Sequence, residues 1–490
     1  LIARSKQGFR EIQLSVTSLN FAGFVLVIFI ICQAVPRRYL WIPLLLASYC
    51  FYLTSDWVGA IFLVAQTLCA YLAGRLIDRQ AAPSRRRGAL LIGLIPVLGM
   101  LVVLKYSGFV AGSVVAIART VGFDLPQPKI GLFLPLGVSF FTFAHAGYLI
   151  DVFKRRIPAE AHLGRFALFG SFFPQIVSGP IPRAGALLPQ LREPTAADED
   201  RLQSAGIMIL WGLFKKSVIA DRVASYVNPV FDNVHAANGA TLAFASYLFA
   251  FQIYCDFSGY TDIAIGVAKI LGIDLGENFR RPYFSKSVGE FWHRWHISLS
   301  TWFRDYLYFP LGGSRVTIPR WVFNVMVVFV VSGLWHGASW TFVFWGALHG
   351  LYLVFERLTD SARAGAWKIT RLQWLRPAVA TLVTFHLVLI AWIFFRADSF
   401  SDAIFVVRSL PSALAGRPSQ GDSQLTTVIS ILAIGVLVAV EAFRELAEKD
   451  LPAIRALWRP TPIRWAAYIS LILVILLLSV RSNGFIYGKF

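Results

Sequence analysis

The sequence predicts an all-α polytopic membrane protein. It reads as a transmembrane bundle of about 11 to 12 spans, with re-entrant or interfacial helices around a buried histidine centre. Three observations predict it. Of 490 residues, 57% are hydrophobic and only 15% are charged. Soluble domains carry roughly 25% charged residues and cannot bury this much apolar surface. The mean hydropathy is +0.62, and the apolar residues come in runs of about 20, the length a helix needs to cross hydrocarbon.

The expected spans are 21–35, 39–54, 57–77, 88–104, 131–152, 203–221, 241–269, 321–335, 338–356, 377–395, 425–443 and 465–480. The first is read as a span because no small-residue cleavage site follows it. Residues 107–118 are apolar but are not counted, because a further crossing there moves Lys154-Arg155-Arg156 to the outside. The stretch 166–190, rich in Phe, Gly and Pro, is expected to hold helix that does not cross. Such broken backbone is tolerated at membrane depth only against protein or a water-filled cavity.

The formal net charge of +19 does not indicate nucleic acid. The basic residues form short clusters between apolar runs, such as Arg85-Arg86-Arg87, which suits cytoplasmic loops beside anionic membrane lipid. With simple alternation, the basic loops share the cytoplasmic side and the termini lie outside. Lys215-Lys216 fits that pattern less well. The four cysteines, Cys32, Cys50, Cys69 and Cys255, form no CxxC pair and suggest neither a disulfide framework nor a zinc cage.

The middle of the chain departs from lipid-facing composition. Ionisable groups at membrane depth are costly and usually functional, and here Asp256 and Asp262 interrupt an apolar run. Salt bridges to Arg280 or Arg304 are the bland reading of both. Treated as one helix, Glu290 to Tyr308 places Trp292, His296, Phe303 and Leu307 on one stripe, flanked by Leu299 and Ser300, with Glu290, Arg294, Thr301 and Asp305 opposite. His296 then points inward and His293 sits at the edge. On residues alone, His296 and His336 read first as hydrogen-bonded core histidines, and His349 and His386 as packing. Metal is not expected: Glu290 and His293 form a single Glu-x-x-His pair, with no HExxH and no third ligand. No phosphate-cradling glycine motif and no GxSxG elbow appears.

Six segments carry a resemblance: LPLGVSFFTF (134–143), GSFFPQIVSGPIPR (170–183), GLFKKSVIADR (212–222), YCDFSGYTDIAIG (254–266), NFRRPYFSKSVGEFWHRWHISLSTWFRDYLYFPLGG (278–313) and SGLWHGASWTFVFWGALHG (332–350). Together they resemble the membrane-bound O-acyltransferase (MBOAT) family, in its bacterial polysaccharide-modifying branch of alginate O-acetylation proteins and teichoic acid D-alanyl transferases. The resemblance divides the chain into N-terminal spans (1–130), a core (131–356) and C-terminal spans (357–490). It assigns the family's Trp-His-Gly histidine to His336 and its Arg-Trp-His histidine to His296. It further implies acetyl-CoA, or a carrier-protein thioester, as acyl donor with no bound cofactor. Partners on this reading are a periplasmic acyl-acceptor protein and a polysaccharide, and the location is the bacterial cytoplasmic (inner) membrane.

Acyl transfer from a thioester to a hydroxyl needs a base, a stabilised oxyanion and exclusion of water. A neutral imidazole suits the first task. His336 is the candidate base or transient acyl carrier. His296, Trp335 and Arg304 are candidates to orient the acyl carbonyl, and Asp256, Tyr260, Ser300 and Asp305 complete the expected substrate contacts. Gly337 is expected to leave room for substrate beside His336. Two other readings stand: a transporter or flippase of glycan precursors, which expects pseudo-symmetric halves not visible here, and an acyltransferase acting on lipid or protein.

Overall fold

A computed structural model describes residues 15–126, 130–196, 198–369, 372–418, 424–448 and 461–480. Among them every regular element is helical and no strand occurs. Among the described residues seven helices are long and apolar enough to cross a bilayer: Trp57–Arg79, Pro83–Thr120, Gly239–Ile270, Ile318–His336, Gln373–Arg396, Gln424–Ala447 and Thr461–Leu478. Each falls on an expected span. Three further expected spans are apolar helices of 15 or 16 residues, Leu19–Ala34, Trp41–Ser55 and Val138–Phe153. Another is divided, Glu199–Leu213 continuing as the π-turn Phe214–Ala220, and the last is the 19-residue helix Trp340–Leu358. The basic loop expected between Arg444 and Arg464 lies mostly outside the described residues.

Two local outcomes refine the sequence reading: 107–118 is no separate span but lengthens an existing helix, and 166–190 holds non-crossing helix as expected. Residues 107–118 continue the 38-residue helix Pro83–Thr120. At 1.5 Å per residue it is about 57 Å long, well beyond a hydrocarbon core of about 30 Å. The stretch 166–190 forms two nine-residue helices, Leu163–Ser171 and Ala184–Arg192, joined by turns. Each is about 14 Å long and too short to cross.

The chain divides into two compact units, residues 1–206 with 263–276, and 207–262 with 277–490. The first packs its apolar helices around Tyr148, Phe166 and Phe169, and fastens a loop through Glu160, whose carboxylate pairs with Arg192 at 2.6 Å. The second holds nearly all of the aromatic centre. Its helices Ile318–His336 and Trp340–Leu358 form an antiparallel pair whose backbones nearly touch. A Cβ on Gly333 would lie 2.2 Å from the Phe342 carbonyl oxygen, and one on Gly346 would lie 2.1 Å from that of Phe329. Small residues permit such close approach in a bundle, and it presents His336, at the end of the first helix, to the second.

Candidate active site

The single helix expected from Glu290 to Tyr308 is broken. Val288–Arg294 ends at Trp295, and Ile297–Phe303 begins after His296, which takes a left-handed conformation (φ 45°, ψ 53°). Residues 304–308 then form a π-turn. The periodic reading failed because it assumed continuous α backbone through a residue that leaves it. The burial of the key side chain survives: His296 is 0% exposed. Non-glycine residues at positive φ are uncommon and costly, and concentrate at functional sites.

Asn278 clamps this turn. Its backbone carbonyl accepts from Ile297 N–H at 2.9 Å. Its side-chain Oδ1 accepts from Ser298 N–H at 3.1 Å and Ser298 Oγ at 2.8 Å, and lies 3.2 Å from His296 Nδ1. The His296 ring packs edge-on against Phe257, at 4.7 Å between centroids, and against Trp335 at 5.9 Å.

Trp335 joins the two histidines. Its ring also lies 4.9 Å from that of His336, which is 3% exposed and further walled by Trp345 at 5.0 Å and Phe395 at 5.5 Å. Trp345 stacks in turn on Trp392, and both indole N–H groups are buried without a hydrogen-bond partner among the described residues. The room expected above Gly337 is filled: a Cβ there would meet the Phe342 ring at 2.1 Å. The glycine admits a phenyl ring of the neighbouring helix rather than a substrate.

The remaining candidates fall into two other groups. Ser300 and Arg304 line a cavity of about 820 Å³ together with Trp292, His293, Ser332 and Arg357. Neither His296 nor His336 is part of that lining, whereas His293, expected at the edge of the helix, is. Arg304 is half exposed and pairs with Asp305 at 2.9 Å. Ser332 stands one helical turn before His336 on the same helix face, so the cavity and the histidine cluster adjoin along Ile318–His336.

Asp256 and Asp262 belong to a buried charge network instead. Lys216 Nζ lies 2.5 Å from Asp256 and 2.9 Å from Asp221, and Lys215 Nζ lies 2.8 Å from Asp262 and donates to Ser258 Oγ at 2.9 Å. The expected partners Arg280 and Arg304 pair with Glu277 and Asp305. Both lysines are about 3% exposed and sit on the π-turn. This explains why Lys215-Lys216 fitted the basic-loop pattern poorly: buried, paired lysines carry no topological signal. Tyr260 is buried on the same helix as Asp256.

Sequence reasoning missed Asn278, Trp345 and Phe395 as neighbours of the histidines. Asn278 and Trp345 lie within quoted segments without having been singled out, and Phe395 lies outside all six. Among the described residues no group of three or more His, Cys, Asp or Glu could hold a metal ion.

Comparison with known proteins identifies the family. Residues 152–397 match the membrane-bound O-acyltransferase family. The chain is 36% identical over 427 residues to a probable alginate O-acetylase of Azotobacter vinelandii, covering 85% of this chain and 82% of that protein. It is 34% identical over 394 residues to a peptidoglycan O-acetyltransferase of Helicobacter pylori, covering 75% and 73%. It is 29% identical over 290 residues to a teichoic acid D-alanyltransferase of Bacillus subtilis, covering 56% and 71%. With His296, Trp335 and His336 clustered inside the matched segment of an all-helical membrane bundle, the chain belongs to the membrane-bound O-acyltransferase family.

Proposed function

We propose that this enzyme is an O-acetyltransferase of the bacterial cytoplasmic membrane. It moves an acetyl group from a cytoplasmic thioester, acetyl-CoA in the first instance and a carrier-protein thioester in the second, towards an extracytoplasmic polysaccharide. A periplasmic acceptor protein takes the group on. The observation that carries the reading is the pair of buried histidines packed on one indole, Trp335. Relatives named for alginate and peptidoglycan O-acetylation support acetyl as the acyl group and an extracellular glycan as the destination.

The chemistry follows from the walls. His336 takes the proton of the acceptor hydroxyl as its oxygen attacks the thioester carbonyl. The tetrahedral oxyanion collapses, the C–S bond breaks, and the proton passes to the leaving thiolate. Indole and phenyl rings around both imidazoles exclude bulk water, so the thioester meets the hydroxyl rather than water. The adjoining 820 Å³ cavity is of the size that holds a small organic ligand. Its apolar wall of Trp292, Val325 and Phe329 suits a thioester arm, and Arg304 and Arg357 suit donor phosphates. Asp256 serves on this reading as a structural counter-charge to Lys216.

The test is purified protein given radiolabelled acetyl-CoA, with and without an acceptor hydroxyl. Label transferred by the parent protein and by neither His336→Ala nor His296→Ala supports the reading. Label that moves only from an acylated carrier protein assigns the donor to the second class.

A further inference from the structure

We propose that Asn278 is a positioning residue that fixes His296 in one tautomer. On this assignment His296 carries its hydrogen at Nδ1 and a lone pair at Nε2, so it serves the centre as an acceptor and does not donate to the acyl oxygen. The inference rests on His296 belonging to the acyl-transfer centre and adds the direction of its hydrogen bond.

The hydrogen-bond network settles the direction. A backbone N–H can only donate, and that of Ser298 points at Asn278 Oδ1 from 3.1 Å. The atom it meets is therefore the amide oxygen, and the Ser298 hydroxyl donates to the same atom at 2.8 Å. An amide oxygen can only accept, so His296 Nδ1, 3.2 Å away, carries the hydrogen. In the neutral ring the lone pair then sits on Nε2.

Two further features point to positioning rather than stability. His296 occupies a left-handed backbone conformation that a histidine adopts at a cost, and Asn278 holds the chain just after it, at Ile297 and Ser298, as well as the His296 ring itself. The other end of the same amide, Nδ2, is buried without a hydrogen-bond partner among the described residues, in a side chain only 1% exposed. A buried orphan donor opposes folding. Asn278 thus carries a cost beside the centre while orienting its histidine, as an acid or amide behind a catalytic imidazole does.

The rings packed on His296 are Phe257, Phe279 and Trp335, none of which ionises in the working range. A carboxylate placed at 278 is therefore a new charge in these surroundings. It keeps the acceptor atom but favours the doubly protonated imidazolium, which has no lone pair at Nε2.

The experiment compares Asn278→Ala, Asn278→Asp and His296→Ala in the full-length protein, with steady-state kinetics in acetyl-CoA across pH and thermal melting of each preparation. Expected for Asn278→Ala is a fall in kcat of about 100-fold with the KM for acetyl-CoA within about twofold, because the tautomer is lost and the donor contacts are not. Expected for Asn278→Asp is recovery of most activity at high pH, with the acidic limb of the profile displaced upward by about one unit or more. Wild-type kcat in Asn278→Ala, alongside an inactive His296→Ala, overturns this inference and leaves the proposed centre standing. An active His296→Ala overturns the centre itself. If Asn278→Ala fails to fold, Asn278→Asp decides: an unshifted acidic limb overturns the positioning role.

Discussion

The Trp335 ring centroid lies 5.9 Å from that of His296, on a residue 39 positions earlier in the chain, and 4.9 Å from that of its neighbour His336. One indole thus separates and aligns the two imidazoles of the centre. Replacing it with alanine opens a void between them, admits water and releases both rings. Trp335→Ala is expected to lower kcat by about 100-fold or more, while Trp335→Phe retains a larger share by keeping a flat wall. Turnover per folded protein checks this; equal activity in the two variants removes the spacer role.

Lys216 tests whether Asp256 is structural. It pairs with two buried carboxylates, and breaking such a network by removing one partner costs about 3–5 kcal/mol. Lys216→Met is expected to collapse yield and melting temperature, whereas Lys216→Arg keeps the charge and loses less. Normal melting in Lys216→Met, with activity lost, returns Asp256 to the substrate path.

How much of this was legible in the sequence depends on scale. Hydropathy runs located the spans because burial in lipid is a property of about 20 residues at once. The histidines were legible because their flanking words are specific. The break at His296 was not, since amphipathic periodicity cannot register one residue leaving the helix. Nor was the pairing of Lys216 with Asp256 across 40 positions, which depends on two helices meeting. His293 and the cavity show the same limit: the wall is shared with Ile318–His336 and Trp340–Leu358 and has no signature in the 290–308 segment alone.

The proposal that the cavity holds the acyl donor predicts a split in kinetic constants. Arg304→Ala removes a cation from its lining and is expected to raise the KM for acetyl-CoA by about tenfold with little change in kcat, since a charged hydrogen bond to a donor phosphate is worth about 1.5–3 kcal/mol at most. Ser300→Phe, which narrows the same space, moves KM in the same direction. If both variants lower kcat at constant KM, the cavity does not hold the donor.

Glu160 governs an acid-sensitive contact in the first unit. Burial alone raises its carboxyl, but hydrogen bonds from Arg192 and from the His162 N–H outweigh that and hold it below the usual carboxylate range. A carboxylate with a depressed folded value stabilises above its unfolded value, about 4.3, and loses that contribution as pH falls through the folded one. Melting temperature is therefore expected to drop below about pH 4, and Glu160→Gln should flatten that drop while lowering stability at neutral pH. Parallel curves for the two proteins contradict it.

The central claim is that His336 acts in chemistry and not in folding. A structural imidazole, once removed, strands its partners at a cost of about 1–3 kcal/mol and lowers melting. A base leaves packing largely intact and forfeits proton transfer, worth about 100-fold or more. The deciding measurement is acetyl turnover per folded molecule of His336→Ala in proteoliposomes, with thermal melting of the same preparation. The account predicts near-parent melting with turnover down at least about 100-fold. Full turnover, or inactivity accompanied by a collapsed melting profile, contradicts it.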